Sequence, residues 1–345
     1  MKYWFVAGLA ALLSLSSAAA QETSAPTSAS PAPADLASIG FDLFAEREAA
    51  RRKALAALVA SGRADVAPVL VMALRFAPET LAPRIVAGLE TLTGASPGHD
   101  WHAWMIWQEQ HPETGVIPGF AKLQARVFDL IDPAFQVFLD GDKKHEIRLE
   151  EITWGGVVKD GIPALTGPAL IEAEKATYLG PDDLVFGVAI NGDLRAYPLR
   201  ILDWHEMFND VVGGVPVSLA YCTLCGSGIL FETRVAGRKI PFVFGSSGFL
   251  YRSNKLMYDT ETHSLWNQFT GRPVVGPLTG SGIELRTRPV AITTWADWKA
   301  RNPATRVLSL DTGHRRDYRA GQAYGDYFAS PRLMFPTAVD ERARK

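Results

Sequence analysis

Cys222 and Cys225 are the only two cysteines of this 345-residue sequence, and they stand three positions apart in Tyr221-Cys-Thr-Leu-Cys-Gly-Ser-Gly. A C-x-x-C pair can close a small-ring disulfide, exchange it with external thiols, or aim two thiolates at one metal ion. Thioredoxin-type pairs open a helix, and the helix N-terminus lowers the pKa of the first thiol. Here Gly226 and Gly228 lead into Ile229-Leu230-Phe231, which reads as a strand. Helix-dipole activation and a thioredoxin fold are therefore not expected. A C-x-x-C-G turn between strands is also half of a zinc knuckle, but the second C-x-x-C is missing. Copper or zinc would need Cys222 and Cys225 together with His205 or Met257 as ligands. A disulfide that merely staples the loop is the third alternative, and all three stay open.

Trp204-His205-Glu206-Met207-Phe208-Asn209-Asp210 has the pattern of a helix, with His205 and Asn209 on one face and Glu206 and Asp210 on the next. It approaches the H-E-x-x-H zinc motif, yet Asn209 stands where the second histidine belongs, so that assignment is rejected. The catalytic set expected for a thiol reaction is Cys222 and Cys225, with His205 as proton-transfer partner and Glu206 orienting its ring. A satisfied histidine at a helix end is the competing reading. Other candidates are weaker. Ser227 and Ser247 lie in Gly-rich runs without the G-x-S-x-G pattern, and Gly245-Ser-Ser-Gly248 lacks the lysine and helix of a phosphate loop. His99 and His102, one helical turn apart, sit among tryptophans that favour capping and packing roles. Met257, Trp266, Trp204 and Tyr258 have core burial as the default.

These residues must be positioned by the elements around them. Lys2, an apolar run from Trp4 to Leu15, and small residues at Ala18 and Ala20 form an export signal, residues 1–20, with cleavage before Gln21. The expected location is outside the cytoplasm, periplasmic if the cell is Gram-negative. No span long enough for a membrane anchor follows. Residues 21–38, rich in Ala, Pro, Ser and Thr, read as a linker. Residues 39–131 carry helical periodicity in Leu55, Leu58 and Val59, in Val66, Val69, Leu70 and Ala73, and in Leu81, Ile85, Val86, Leu89 and Leu92. These short helices resemble a fragment of a repeat solenoid and could recruit a redox or protein partner.

From residue 132 to 330 glycine becomes frequent and the alternation becomes that of strands. Leu184–Ile190 and Leu194–Tyr197 flank Asn191-Gly192, a hairpin signal. Further strands are expected over Val215–Tyr221, Ile229–Val235, Ile240–Phe244, Leu256–Tyr258 and Val274–Val275, a closing helix over Trp295–Asn302, and a polar tail over 331–345. The fold class is therefore α+β, a helical, repeat-like segment followed by a mainly antiparallel β domain with a few helices. With 35 Lys+Arg against 37 Asp+Glu, the chain has no electrostatic footprint for nucleic acid, and 47% hydrophobic residues exclude a disordered chain. No nucleotide-binding fingerprint supports a nicotinamide or flavin cofactor.

The strings Gly161-Ile-Pro-Ala-Leu165, Arg195-Ala-Tyr-Pro-Leu-Arg-Ile-Leu202, Trp204-His-Glu206, Val212-Gly-Gly214, Tyr221 to Gly228, Met257-Tyr-Asp259, Ser264-Leu-Trp266 and Gly276-Pro-Leu278 together resemble the DUF3179 family. The likeness runs from about Glu146 to Tyr327 and leaves the helical segment outside it. The family's function is uncharacterised, so the resemblance implies a domain and no defined reaction. Through members that are selenoproteins it implies redox chemistry at a chalcogen centre.

Overall fold

The computed structural model describes residues 33–337, so the expected export signal and most of the linker lie outside the described residues. Helix α1, Pro33–Phe41, already starts within the stretch read as linker, because Leu36 is fully buried in the core. The helical region continues with α2 (Glu48–Ala60), α3 (Ala67–Phe76), α4 (Ala82–Thr93), α5 (Trp101–Gln110) and α6 (Phe120–Asp129). Local punctuation sets their ends. Pro68 stands in the first turn of α3, Gly94 ends α4 in the left-handed region at φ +70°, and the Asp100 carboxylate caps α5 by accepting from the His102 N–H at 3.0 Å.

The apolar stripes read from the sequence are buried, but not on one another alone. Leu58, Leu70, Ile85 and Leu89 belong to one continuous core with Phe128, Phe135, Phe138, Phe249 and Tyr258. Phe249 stacks its ring centroid 4.4 Å from Phe135 and 4.9 Å from Phe128. The helices thus bury their inner face against the chain's own β structure.

That β structure begins with β1 (Ile152–Trp154), β2 (Leu165–Thr166), β3 (Leu170–Glu172), β4 (Leu184–Ile190) and β5 (Asp193–Pro198). After the short helix α7 (Leu199–Leu202) come β6 (Met207–Val212), β7 (Val215–Cys222), β8 (Ser227–Glu232), β9 (Phe244–Tyr251) and β10 (Asn254–Asp259). The rest are β11 (Leu265–Asn267), β12 (Arg272–Val275), β13 (Arg286–Arg288), β14 (Ala291–Thr294), helix α8 (Trp295–Arg301), β15 (Arg306–Leu308) and helix α9 (Gly325–Phe328). They form three five-stranded sheets, in the orders β1-β9-β10-β11-β12, β13-β8-β7-β6-β2 and β14-β4-β5-β15-β3. Pairing is antiparallel except for β2 with β6 and β5 with β15. The fold is the α+β arrangement read from the sequence, a helical region followed by mainly antiparallel sheets with a few helices.

Three local expectations are corrected. Trp204–Asp210 is not a helix: α7 ends at Leu202, and β6 starts at Met207, paired along its whole length with β7. The second sheet overrides the local helical pattern because β6 sits inside it, between β7 and β2. Ile240–Phe244 is not a strand until its last residue, and Gly245–Gly248, read as a loop, is the interior of β9. Glycine is needed at both positions by close packing. A Cβ at Gly245 would lie 2.6 Å from the Tyr258 ring, and one at Gly248 would lie 2.5 Å from the Val157 carbonyl oxygen. The end of the chain also departs from the tail reading, since Phe335 is buried in the large core.

One of the side chains that join the first two sheets does so with two hydrogen bonds to a single backbone unit. Asn209 of β6 accepts from the Phe244 N–H at 2.8 Å and donates to the Phe244 carbonyl at 2.9 Å, and it is itself buried. Replacing it by alanine leaves a buried donor and a buried acceptor unpaired. Asn209→Ala is expected to lose about 2–4 kcal/mol of stability, read as a lower urea midpoint at unchanged slope. A loss within experimental error would show that the two sheets do not depend on this contact.

Candidate functional site

Cys222 is the last residue of β7, Thr223–Cys225 makes a single 3-10 turn, and β8 leaves at Ser227, the cross-strand partner of Cys222. Gly226 closes the turn at φ +61°, a backbone conformation that suits glycine. The C-x-x-C therefore occupies a hairpin loop, as its glycines implied, with no helix behind it. The two sulfurs form a disulfide. Cys222 is 3% exposed, whereas Cys225 is open to solvent. Leu224 between them borders two separate hollows.

Cys222 lines a pocket of about 170 Å³ that it shares with Glu206, Lys255, Ser246 and Tyr324. Lys255, buried on β10, forms an ion pair with Glu206 and donates to Ser246 Oγ at 3.2 Å. The Tyr324 hydroxyl donates to the second Glu206 oxygen at 3.3 Å. A buried pair of this kind persists only because its remaining polar atoms are also bonded. Glu206 stands at φ +53°, and around it the Met207 N–H donates to the His205 carbonyl at 2.5 Å, closing a γ-turn that is strained for any residue with a Cβ. Its own carbonyl accepts from the Tyr221 N–H at 2.8 Å, which fixes the backbone next to Cys222.

A second carboxyl lies behind the pair. Burial pushes Asp203 up to about 7; the Tyr221 hydroxyl 3.5 Å away opposes the shift and the Glu206 charge adds to it. Tyr324 is raised well above the ordinary phenol value by burial and by Glu206.

Cys225 opens on the other hollow, a cleft of about 320 Å³. One wall is the turn between β9 and β10, Arg252-Ser253, followed by Asn254. Both turn residues have positive φ, +46° and +62°, the conformation of a two-residue primed hairpin turn, here without the usual Asn or Gly. Two anchors hold it, Arg252 paired with Glu151 and the Ser253 hydroxyl donating to the Pro336 carbonyl, and its Ser253 carbonyl lies 3.3 Å from the disulfide-bonded Cys225 Sγ.

Of the residues expected from sequence to act together, Cys222 and Glu206 line one pocket, and Cys225 is bonded to Cys222 but lines the other hollow. His205 is turned elsewhere. It is fully buried, with Nδ1 2.8 Å from the Pro163 carbonyl and Nε2 2.6 Å from the Tyr318 hydroxyl. Burial lowers it to about 4, so the ring is neutral near pH 7, donating to Pro163 and accepting from Tyr318. Both nitrogens are engaged, which leaves none for a thiol or a metal. Met257 is fully buried in an apolar cluster with Phe242, Phe244 and Trp266, and neither it nor His205 lines the pocket at Cys222. Among the described residues no group of three or more His, Cys, Asp or Glu is placed to hold a metal ion. The ligand set Cys222, Cys225, His205 and Met257 is thus not assembled. His102 serves at the start of α5, its ring edge against Trp101.

Lys255, Ser246, Tyr324 and Asp203 were not singled out by the sequence. The available signal was Lys255 itself, a charged residue at the head of the apolar run Leu256-Met257-Tyr258, which must find a partner if buried. Asp203 yields a pH test. Its folded pKa lies above the unfolded value, so its contribution is complete below pH 4 and is lost as pH rises through about 7. Asp203→Asn is expected to match the parent at pH 4 and to exceed it in urea midpoint at pH 8. Equal midpoints at pH 8 would show that the carboxyl ionises without penalty.

The comparisons add a family. No curated protein and no solved structure matches the chain. Residues 159–345 match the model of DUF3179, a family described as proteins of unknown function. The matched span contains the disulfide, Glu206, Lys255 and Tyr324, and it exceeds half of the sequence. The chain belongs to the DUF3179 family.

Proposed function

We propose that the protein is a dithiol–disulfide redox protein in which Cys225 exchanges with an external thiol and Cys222 is the sulfur that leaves and returns. The observation carrying this reading is the unequal placement of the two sulfurs, Cys225 exposed on a cleft and Cys222 buried beside a pocket of titratable groups. Exchange begins by thiolate attack on the accessible sulfur, and the leaving sulfur departs more readily where its negative charge is stabilised. Lys255, ion-paired with Glu206, borders the pocket of Cys222, and with Ser246 and Tyr324 the pair forms a hydrogen-bonded set through which a proton can be held. His205 has no part in this scheme.

A purely structural disulfide would be poorly used at this position. The loop it closes is already closed by the Cys222–Ser227 pairing, and the entropy a cross-link removes from the unfolded chain is small for a short loop. Export through the Met1–Ala20 segment is part of the same proposal, since an oxidising compartment supplies the disulfide form.

The test is reduction of the native protein followed by alkylation and mass analysis. With millimolar dithiothreitol at pH 8 and no denaturant, the folded protein is expected to gain two thiols, with Cys225 alkylated faster than Cys222. A disulfide that opens only after unfolding would refute the redox reading and leave the staple.

A further inference from the structure

The cleft at Cys225 carries a binding group that the redox reaction itself does not need. Asn254 is 9% exposed, lines the cleft, and has a carboxamide oxygen without any hydrogen-bond partner. A buried, unbonded amide is unfavourable unless a ligand completes it. A carboxamide offers one donor edge and one acceptor edge, which matches the N–H and C=O of a peptide unit. The walls beside it are apolar and exposed to an unusual degree, Phe269 at 57% and Leu333 at 52%. The cation at the rim is already engaged, since Arg252 makes two hydrogen bonds to Glu151 at 2.6 and 3.1 Å. The cleft therefore presents a reactive sulfur, a peptide-like hydrogen-bonding edge and apolar walls, with no uncommitted charge to select an anionic thiol.

We infer that this cleft binds an extended, uncharged peptide segment bearing cysteine, with the Asn254 carboxamide bonded to the peptide backbone beside the reacting residue. The inference rests on the redox reading and names its substrate class as protein dithiols. In the step so assigned, a peptide thiolate attacks Cys225 Sγ, the Cys225–Cys222 bond breaks, and the electron pair moves to Cys222 Sγ, which takes up a proton. A second peptide thiolate then attacks the peptide sulfur of the mixed disulfide and releases Cys225, which is protonated. The peptide loses two electrons and two protons as its disulfide forms, and the protein's disulfide gains both.

The experiment compares two reductants on the full chain: dithiothreitol, and a ten-residue uncharged peptide with two cysteines flanked by Leu and Phe. Asn254→Ala is expected to slow reduction by the peptide about tenfold, the loss of one or two hydrogen bonds, while leaving the dithiothreitol rate unchanged. Phe269→Ala, at an exposed position that folding does not require, is expected to slow the peptide reaction and not the dithiothreitol reaction. Equal slowing of both reductants by Asn254→Ala, or no slowing of the peptide by either variant, would overturn the peptide site while leaving the redox reading in place. Failure of both reductants on the native parent would remove the redox reading itself.

Discussion

The site depends on contacts between two sheets, among them the Asn209 carboxamide bonded to the Phe244 backbone. Strand β1 pairs with β9 only at Phe249–Tyr251, so the first half of β9 has no strand on that side. Asn209 supplies one donor and one acceptor to Phe244 where a neighbouring strand would have supplied them. The clasp sits three residues after Glu206 and its partner Phe244 two residues before Ser246, so it fixes both sides of the pocket in one stroke. The Glu206–Lys255 pair then spans the same seam, β6 side to β10 side. Neither sheet alone contains the pocket; it exists because their edges are brought into register.

This explains what could be read from the sequence and what could not. Elements whose ends are set locally were legible: the left-handed Gly94, the Asn191-Gly192 turn, and the C-x-x-C-G loop with its strand on each side. What failed depended on distant neighbours. Trp204–Asp210 has a helical pattern in isolation, yet β7 and β2 claim its second half as a strand. Gly245-Ser-Ser-Gly248 has loop composition, yet the aromatic rings of Tyr258 and Phe135 press so closely that only glycine lets β9 pass. The close placement of the two cysteines was legible from spacing alone. Their surroundings were not, because Lys255 and Tyr324 are brought to Cys222 from 33 and 102 positions along the chain. His205 drew attention for its chemistry, and burial has instead made it a neutral strut between Pro163 and Tyr318.

The backbone around the disulfide holds three of the six non-glycine residues with positive φ among the described residues. Glu206, Arg252 and Ser253 all lie in the left-handed region, where a residue with a Cβ costs about 1–2 kcal/mol. Each is tethered by its side chain to a remote segment, Glu206 to Lys255, Arg252 to Glu151 and Ser253 to Pro336. None of these tethers involves sulfur. Opening the Cys222–Cys225 bond therefore leaves the β9–β10 turn and the Glu206 turn held as before, and the β7–β8 ladder still closes the loop. The side-chain tethers beside both hollows do not include the bond between the sulfurs. A loop held by its strand pairing and by side-chain tethers rather than by its disulfide is what the proposed exchange chemistry requires of a protein and what a staple does not.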